Sequence, residues 1–219
     1  MAVGVPSTNP IYPSSTEGLI FKSKTGQQYV LPGTKYMQYG PTAALASSVT
    51  ETSLFNNTST TAFGSLVFGA TELTNGWNLP NLAGAGSMIR LKMGGIIANT
   101  STPDLTIKLT MTNAAGTATT LSTTSNLATV AITGTGNWTI EAMIIVSAYS
   151  ATVGQFLTHG QFTYTQTTLL TTGLKLPYTA TAASLDTTSQ FTLGATATWG
   201  TNSASNTLTA QWATVEVMA

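Results

Sequence analysis

The one histidine of this 219-residue chain, His159, sits in "LTHGQF" with a glycine behind it. A nucleophile–base device needs such an imidazole, a hydroxyl in reach and an acid to orient the ring. The acids are Glu17, Glu51, Glu72, Asp104, Glu141, Asp186 and Glu216. None falls in a recognisable catalytic motif, so His159 reads as a loop or strand-edge residue. Glycosidic cleavage needs two carboxylates facing one bond. Glu141 lies between Ile140 and Ala142 in a strand pattern and reads as the partner of a Lys or Thr on a neighbouring strand. A calcium loop needs several oxygens in a short span. "NTSTPDLT" around Asp104 and "ASLDTTSQ" around Asp186 offer one carboxylate each. With no cysteine there is no thiolate ligand, disulfide or thiol nucleophile. "AGAGSMIRLKMGG" is glycine-rich without phosphate-loop spacing; its Met88, Arg90 and Lys92 alternate as on a solvated strand face. The expectation is no enzyme, no cofactor and no bound metal.

Charged residues make up 6% of the chain and cancel to zero net charge, against about 25% in ordinary soluble proteins. That leaves no basic footprint for nucleic acid and no polybasic patch for anionic lipid. The start, "MAVGVPSTNP", reads as no signal peptide. No apolar run approaches the length of about 18 residues that spans a bilayer. Neither a nucleic-acid nor a membrane partner is expected. Threonine fills about a fifth of the chain, and its branched side chain favours a pleated strand while its hydroxyl wets the outer face.

The elements that would position any site are strands. From about Val49 onward, apolar and polar residues alternate. Leu105, Ile107, Leu109 and Met111 alternate with Thr106, Lys108 and Thr110. Trp138, Ile140, Ala142, Ile144 and Val146 do so against a face that is only half polar, which reads as a central strand partly covered on both sides. "QFTYTQTTLL" and "SQFTLGATATWG" repeat the pattern. In "TLTAQWATVEV", Leu208, Ala210 and Trp212 share one parity, while Val215 and Val217 take the other. A strand changes faces only with an extra residue, so a bulge is expected near Ala213. Trp199 and Trp212 are expected as large core or rim plates of a hairpin closed by "GTNSASN". Further turns are expected at Asn75-Gly76, Gly94-Gly95, Ala115-Gly116 and Gly134-Thr135-Gly136. Eight or nine strands after Val49 and no sustained helical spacing predict an all-β fold, an antiparallel jelly-roll β-sandwich over 49–219.

Residues 1–48 differ. They hold Pro6, Pro10, Pro13, Pro32 and Pro41, five of the eight prolines. Proline lacks a ladder donor, so this cannot be one long central strand. Yet the segment carries Ile11, Tyr12, Leu19, Ile20, Phe21, Tyr29, Leu31, Tyr36 and Tyr39, too many for an inert tail. These residues are expected to bind a partner from an extended Pro-rich arm with short strands; a local hairpin of "GLIF" and "QYVL" is the competing reading. Trp77 in "TNGWNLPN" and Tyr149 in "SAYSATVG" are candidate loop contacts.

"TETSLFNN", "NWTIEAMIIVSA" and "LDTTSQFTLGATATWGTNSASNTLTAQWATVEV" together resemble a jelly-roll domain of tailed-bacteriophage structural proteins. The resemblance spans about Val49 to Ala219. It implies a virion protein, a capsid decoration or cement protein on the outer capsid surface, with the major capsid protein as partner and a homotrimer as its form. A fibre or spike domain that binds a host receptor or glycan through the Trp77 and Tyr149 loops is the alternative.

Overall fold

Alternating side chains leave each strand with one apolar face, and such faces must cover one another to leave water. The computed structural model describes residues 11–14, 18–22, 28–30, 33–42, 44–46, 49–55, 62–64, 66–67, 76–79, 85–113, 117–124, 126–129, 131–132, 134–166, 169–185 and 191–218, with the side chains of 11–35, 62–79 and 166–185 outside that description. Among these residues every regular element is a strand.

In chain order the strands are β1 (Ile11–Ser14), β2 (Gly18–Lys22), β3 (Gln28–Val30), β4 (Gly33–Gln38), β5 (Leu45–Ala46) and β6 (Thr52–Ser53). Then come β7 (Ala62–Gly64), β8 (Leu66–Val67), β9 (Gly76–Leu79), β10 (Met88–Ala98), β11 (Asp104–Asn113) and β12 (Ala118–Thr123). The last six are β13 (Leu127–Ala128), β14 (Gly136–Ala148), β15 (Gly154–Gln166), β16 (Leu169–Leu185), β17 (Phe191–Trp199) and β18 (Thr207–Met218). An eight-stranded sheet runs β16-β15-β14-β10-β18-β4-β7, with β5 also beside β18. A seven-stranded sheet runs β12-β11-β17-β9-β8, with β13 beside β11 and β6 beside β17. β1, β2 and β3 form a third sheet, in which Ile20 faces Val30 and Phe21 faces Tyr29. The ladders are antiparallel. Within the segment expected as an arm, β4 and β5 are ladder partners of β18.

The two large sheets share one core. Leu105, Ile107, Leu109 and Met111 of β11 and Trp138, Ile140, Ala142, Ile144 and Val146 of β14 are all buried, as the alternation predicts. Phe156 of β15 meets Phe191 of β17 edge to face, with ring centroids 5.8 Å apart. Tyr36 of β4 meets Phe55, just after β6, in the same way at 5.4 Å. The Trp199 Nε1–H donates to the Leu45 carbonyl across the sheets at 3.4 Å. The second face of β14 is open rather than covered: Asn137, Thr139, Glu141, Met143 and Ser147 are exposed. The strand is nonetheless central, between β10 and β15.

Two other expectations change. β17 and β18 do not form a hairpin. They lie in different sheets, because β17 ladders with β11 and β18 with β10 and β4. The turn at 200–206, mostly exposed, therefore passes from one sheet to the other, and Trp199 just before it is buried in the core. Gly94-Gly95 is not a turn but the middle of β10.

That glycine pair explains the parity change of β18. Gly94 faces Trp212 and Gly95 faces Ala210, so Gln211 is an extra residue without an opposite number on β10. The bulge lies two residues before Ala213. Gln211 and Trp212 both turn outward, so Leu208 and Ala210 before it and Ala213, Val215 and Val217 after it all stay buried. A side chain on Gly95 would run into the Thr209 carbonyl oxygen, and one on Gly94 would lie 2.7 Å from the Trp138 carbonyl oxygen and 2.9 Å from the Trp212 ring. The buried amide of Gln38 serves the interrupted ladder: its Nε2 donates to the Ala210 carbonyl at 3.4 Å and to that of Gly40 at 3.1 Å. Beside it, the Thr42 amide donates to the Ala210 carbonyl at 2.8 Å. Since a Cβ at Gly95 meets backbone rather than a movable side chain, Gly95→Ala is expected to lower the unfolding free energy by about 3 kcal/mol. Chemical denaturation measures this; a cost below about 1 kcal/mol would contradict the close approach.

Candidate functional site

The outward face of the eight-stranded sheet gathers most of the described ionisable and large exposed side chains. Register places them in lines across the strands. One line runs Glu216, Arg90, Met143, His159 across β18, β10, β14 and β15; the next runs Thr214, Lys92, Glu141, Gln161. A third holds Trp212 at Gly94, then Thr139 and Thr163, whose hydroxyls are 2.7 Å apart. At the β4 side of this face Met37 is 42% exposed and Tyr39 62%, and Trp212 and Met143 are 40% and 39% exposed. A depression of about 440 Å³ opens on it, lined by Arg90, Glu141, Met143, His159, Gln161 and Met218.

The charges on this face are paired. Arg90 Nη1 is 3.4 Å from Glu216 Oε2, and Lys92 Nζ is 2.7 Å from Glu141 Oε1. Both pairs are about a third or more exposed, so each contributes on the order of 0–1 kcal/mol. The hydrogen bond from Lys92 holds the Glu141 carboxyl below its ordinary 4.5; partial burial opposes this, and the charges of Lys92 and Arg90 reinforce it. The sequence reading of Glu141 as a strand-to-strand partner of a lysine is what the structure contains. His159 is neither in a loop nor at an edge. It lies mid-strand in β15, between β14 and β16, because the long alternation of "GQFLTHGQFTYTQ" continues straight through it.

Elsewhere the polar groups are structural. Glu51 Oε2 accepts from Lys108 Nζ at 2.8 Å and Oε1 accepts from the Thr196 hydroxyl at 2.5 Å, which ties residues 49–55 across the seven-stranded sheet. Asn99 is buried, its Nδ2 donating to Thr129 Oγ1 at 2.7 Å and its Oδ1 accepting from the Ile132 amide at 2.9 Å. Among the described residues no three His, Asp or Glu side chains cluster so as to hold a metal ion, and no helix is long and apolar enough to cross a membrane.

The expected contact residues are distributed as follows. Ile11 and Tyr12 lie in β1, Leu19, Ile20 and Phe21 in β2, and Tyr29 in β3; their side chains, and Leu31 altogether, are outside the described residues. Tyr36 is not on a partner-binding surface: it is fully buried, donates its hydroxyl to Gln38 Oε1 at 3.2 Å and packs on Phe55. Alternation along β4 forces this, since Tyr36 and Gln38 point to the core while Met37 and Tyr39 point out. Trp77 lies in strand β9 opposite Leu193 and Leu66 rather than in a loop, and its side chain is outside the description. Tyr149 follows β14 and is 41% exposed. What the sequence reading missed is the Met37, Met143, Met218 and Trp212 set on one face. The outward parity of Met143 with Glu141 in "EAMIIV" was its one available signal.

The chain matches no family model, no curated protein and no solved structure.

The Glu141 carboxyl titrates below 4.5 in the folded chain. Its pair with Lys92 is therefore intact above the unfolded value and is lost as pH falls through the folded one. Carbon-detected NMR is expected to find the Glu141 midpoint below 4.5 and to find it returned upward in Lys92→Met; an unmoved midpoint in that variant would remove Lys92 as the cause.

Proposed function

We propose that this chain is a non-catalytic structural protein of a tailed-bacteriophage virion, a decoration or cement protein that binds the major capsid protein on the outer surface of the head. Its main domain is an antiparallel jelly-roll β-sandwich. The observation that carries the reading is the nesting of strand pairs. β4 pairs with β18, β9 with β17, β10 with β14 and β11 with β12. These pairs nest from the chain ends inward, as the two arms of one long hairpin would. β18 then ladders with β10, and β17 with β11, which folds that hairpin over into two sheets. A rolled hairpin of eight strands is the jelly-roll plan of many capsid domains. β15 and β16 extend one sheet beyond β14 as an inserted hairpin.

The N-terminal part acts as the capsid-binding arm. Supporting this, β1 to β3 ladder only with one another among the paired strands, and they carry Ile11, Tyr12, Leu19, Ile20, Phe21 and Tyr29. Apolar and aromatic side chains on an extended segment bind by laying strands or plates on a neighbour. Three copies joined as a homotrimer would multiply that grip through effective concentration.

The arm can be removed only up to residue 32, since Gly33 begins β4 and Tyr36 fills the core. The full chain is expected to co-sediment with undecorated heads of its source phage. The chain without residues 1–32 should stay folded by circular dichroism and lose at least about tenfold in affinity. Equal binding of both forms would contradict the arm, and absence of the chain from purified virions by mass spectrometry would contradict the function.

A further inference from the structure

We propose that the open face of the eight-stranded sheet is where a second copy of this chain docks, face to face about a two-fold axis. This contact is separate from the capsid-binding reading and does not rest on it. A trimer joins two different patches, whereas a two-fold contact buries the same patch twice.

Four observations select a second copy as the occupant. The first is composition. Four of the chain's seven methionines lie on this face: Met37, Met88, Met143 and Met218. With Trp212, Tyr39 and Arg90 they are the residue types that interface cores concentrate. Methionine also adapts its shape to a partner.

The second is charge. Arg90 and Lys92 stand two residues apart on β10, flanked by Glu216 on β18 and Glu141 on β14. Glu216 stands beside Arg90 and Glu141 beside Lys92, so each cation has a carboxylate on one side only. A copy turned about a two-fold axis that runs along the strands between β10 and β14 is displaced by one strand spacing, about 4.8 Å, and sets its Glu141 over Lys92. Each charge already has a partner in its own chain, so closing the contact buries no lone ion.

The third is shape. The Gln211 bulge turns Trp212 outward, and the absent side chain of Gly94 makes room for the ring on the sheet surface. Bulges commonly re-aim a side chain in this way. The depression at Met143, His159 and Met218 lies on the same face. The indole thus lies over Gly94 as an apolar plate, and plate and hollow together give this face a packing surface for a second copy.

The fourth is area. Five strands wide and about seven residues long, the face covers roughly 24 by 23 Å. Displaced by one strand, two such faces together bury about 900 Å², the size of a weak, concentration-dependent contact.

Sedimentation equilibrium of the full-length protein over a range of concentrations tests this. The expected mass is an even multiple of 22.7 kDa. Trp212→Ala and Met143→Glu change exposed side chains, so both variants should keep the wild-type circular dichroism. Each should raise the dissociation constant at least about tenfold, so that the mass halves. Tyr149→Ala, in the loop beyond the end of β14, should leave it unchanged. A wild-type monomer, a trimer, or an even species that both variants leave intact would overturn the two-fold contact. An even species that the variants halve but that never binds heads would support the contact while removing the capsid-binding reading.

Discussion

The fold depends on the close approach of two backbones at Gly94-Gly95 and Ala210–Trp212. β18 is the strand that both ends of the eight-stranded sheet need: β10 lies on one side, β4 and β5 on the other. Its apolar residues come in two sets of opposite parity, and a regular strand could bury only one. One extra residue, Gln211, lets both sets reach the core. The cost is an interrupted ladder. It is met locally, since Gln38 and Thr42 supply donors to the Ala210 carbonyl and the Thr42 hydroxyl accepts from the Ala210 amide. The outward setting of Trp212 follows from that one irregularity.

The same device divides the molecule into a closed side and an open one. Inward, Trp138 fills the space beneath the glycine pair, its Nε1–H shared between the carbonyls of Ile96 and Thr209 at 3.2 Å each. Outward lie methionines, an indole and two ion pairs on a nearly chargeless chain. Such a surface offers large apolar side chains and paired charges that can pack against protein.

Period-two alternation made β11, β14, β17 and the second half of β15 legible in the sequence, because each buries a continuous row of apolar side chains. The bulge was legible too, from the parity of Val215 and Val217 against Leu208. Its position was not, because Ala213 is small enough to suit either face and Trp212 is apolar enough to read as core. The sheet assignment of β17 and β18 was hidden for another reason. A seven-residue turn can close a hairpin or pass from one sheet to another, and only distant partners, Leu105 to Asn113 for one strand and Met88 to Ala98 for the other, decide which. Glu141 was legible as a lysine partner because both residues sit at outward parity. The face as a whole was not, since its members lie on five strands spread from Met37 to Met218.

Because the chain contains no cysteine, single cysteines report exposure without background. The most direct test of the bulge is the thiol reactivity of four variants, Ala210→Cys, Gln211→Cys, Trp212→Cys and Ala213→Cys, in the folded protein. The account predicts two adjacent fast positions, 211 and 212, between two protected ones. Strict alternation, with 211 and 213 fast and 210 and 212 protected, would contradict it.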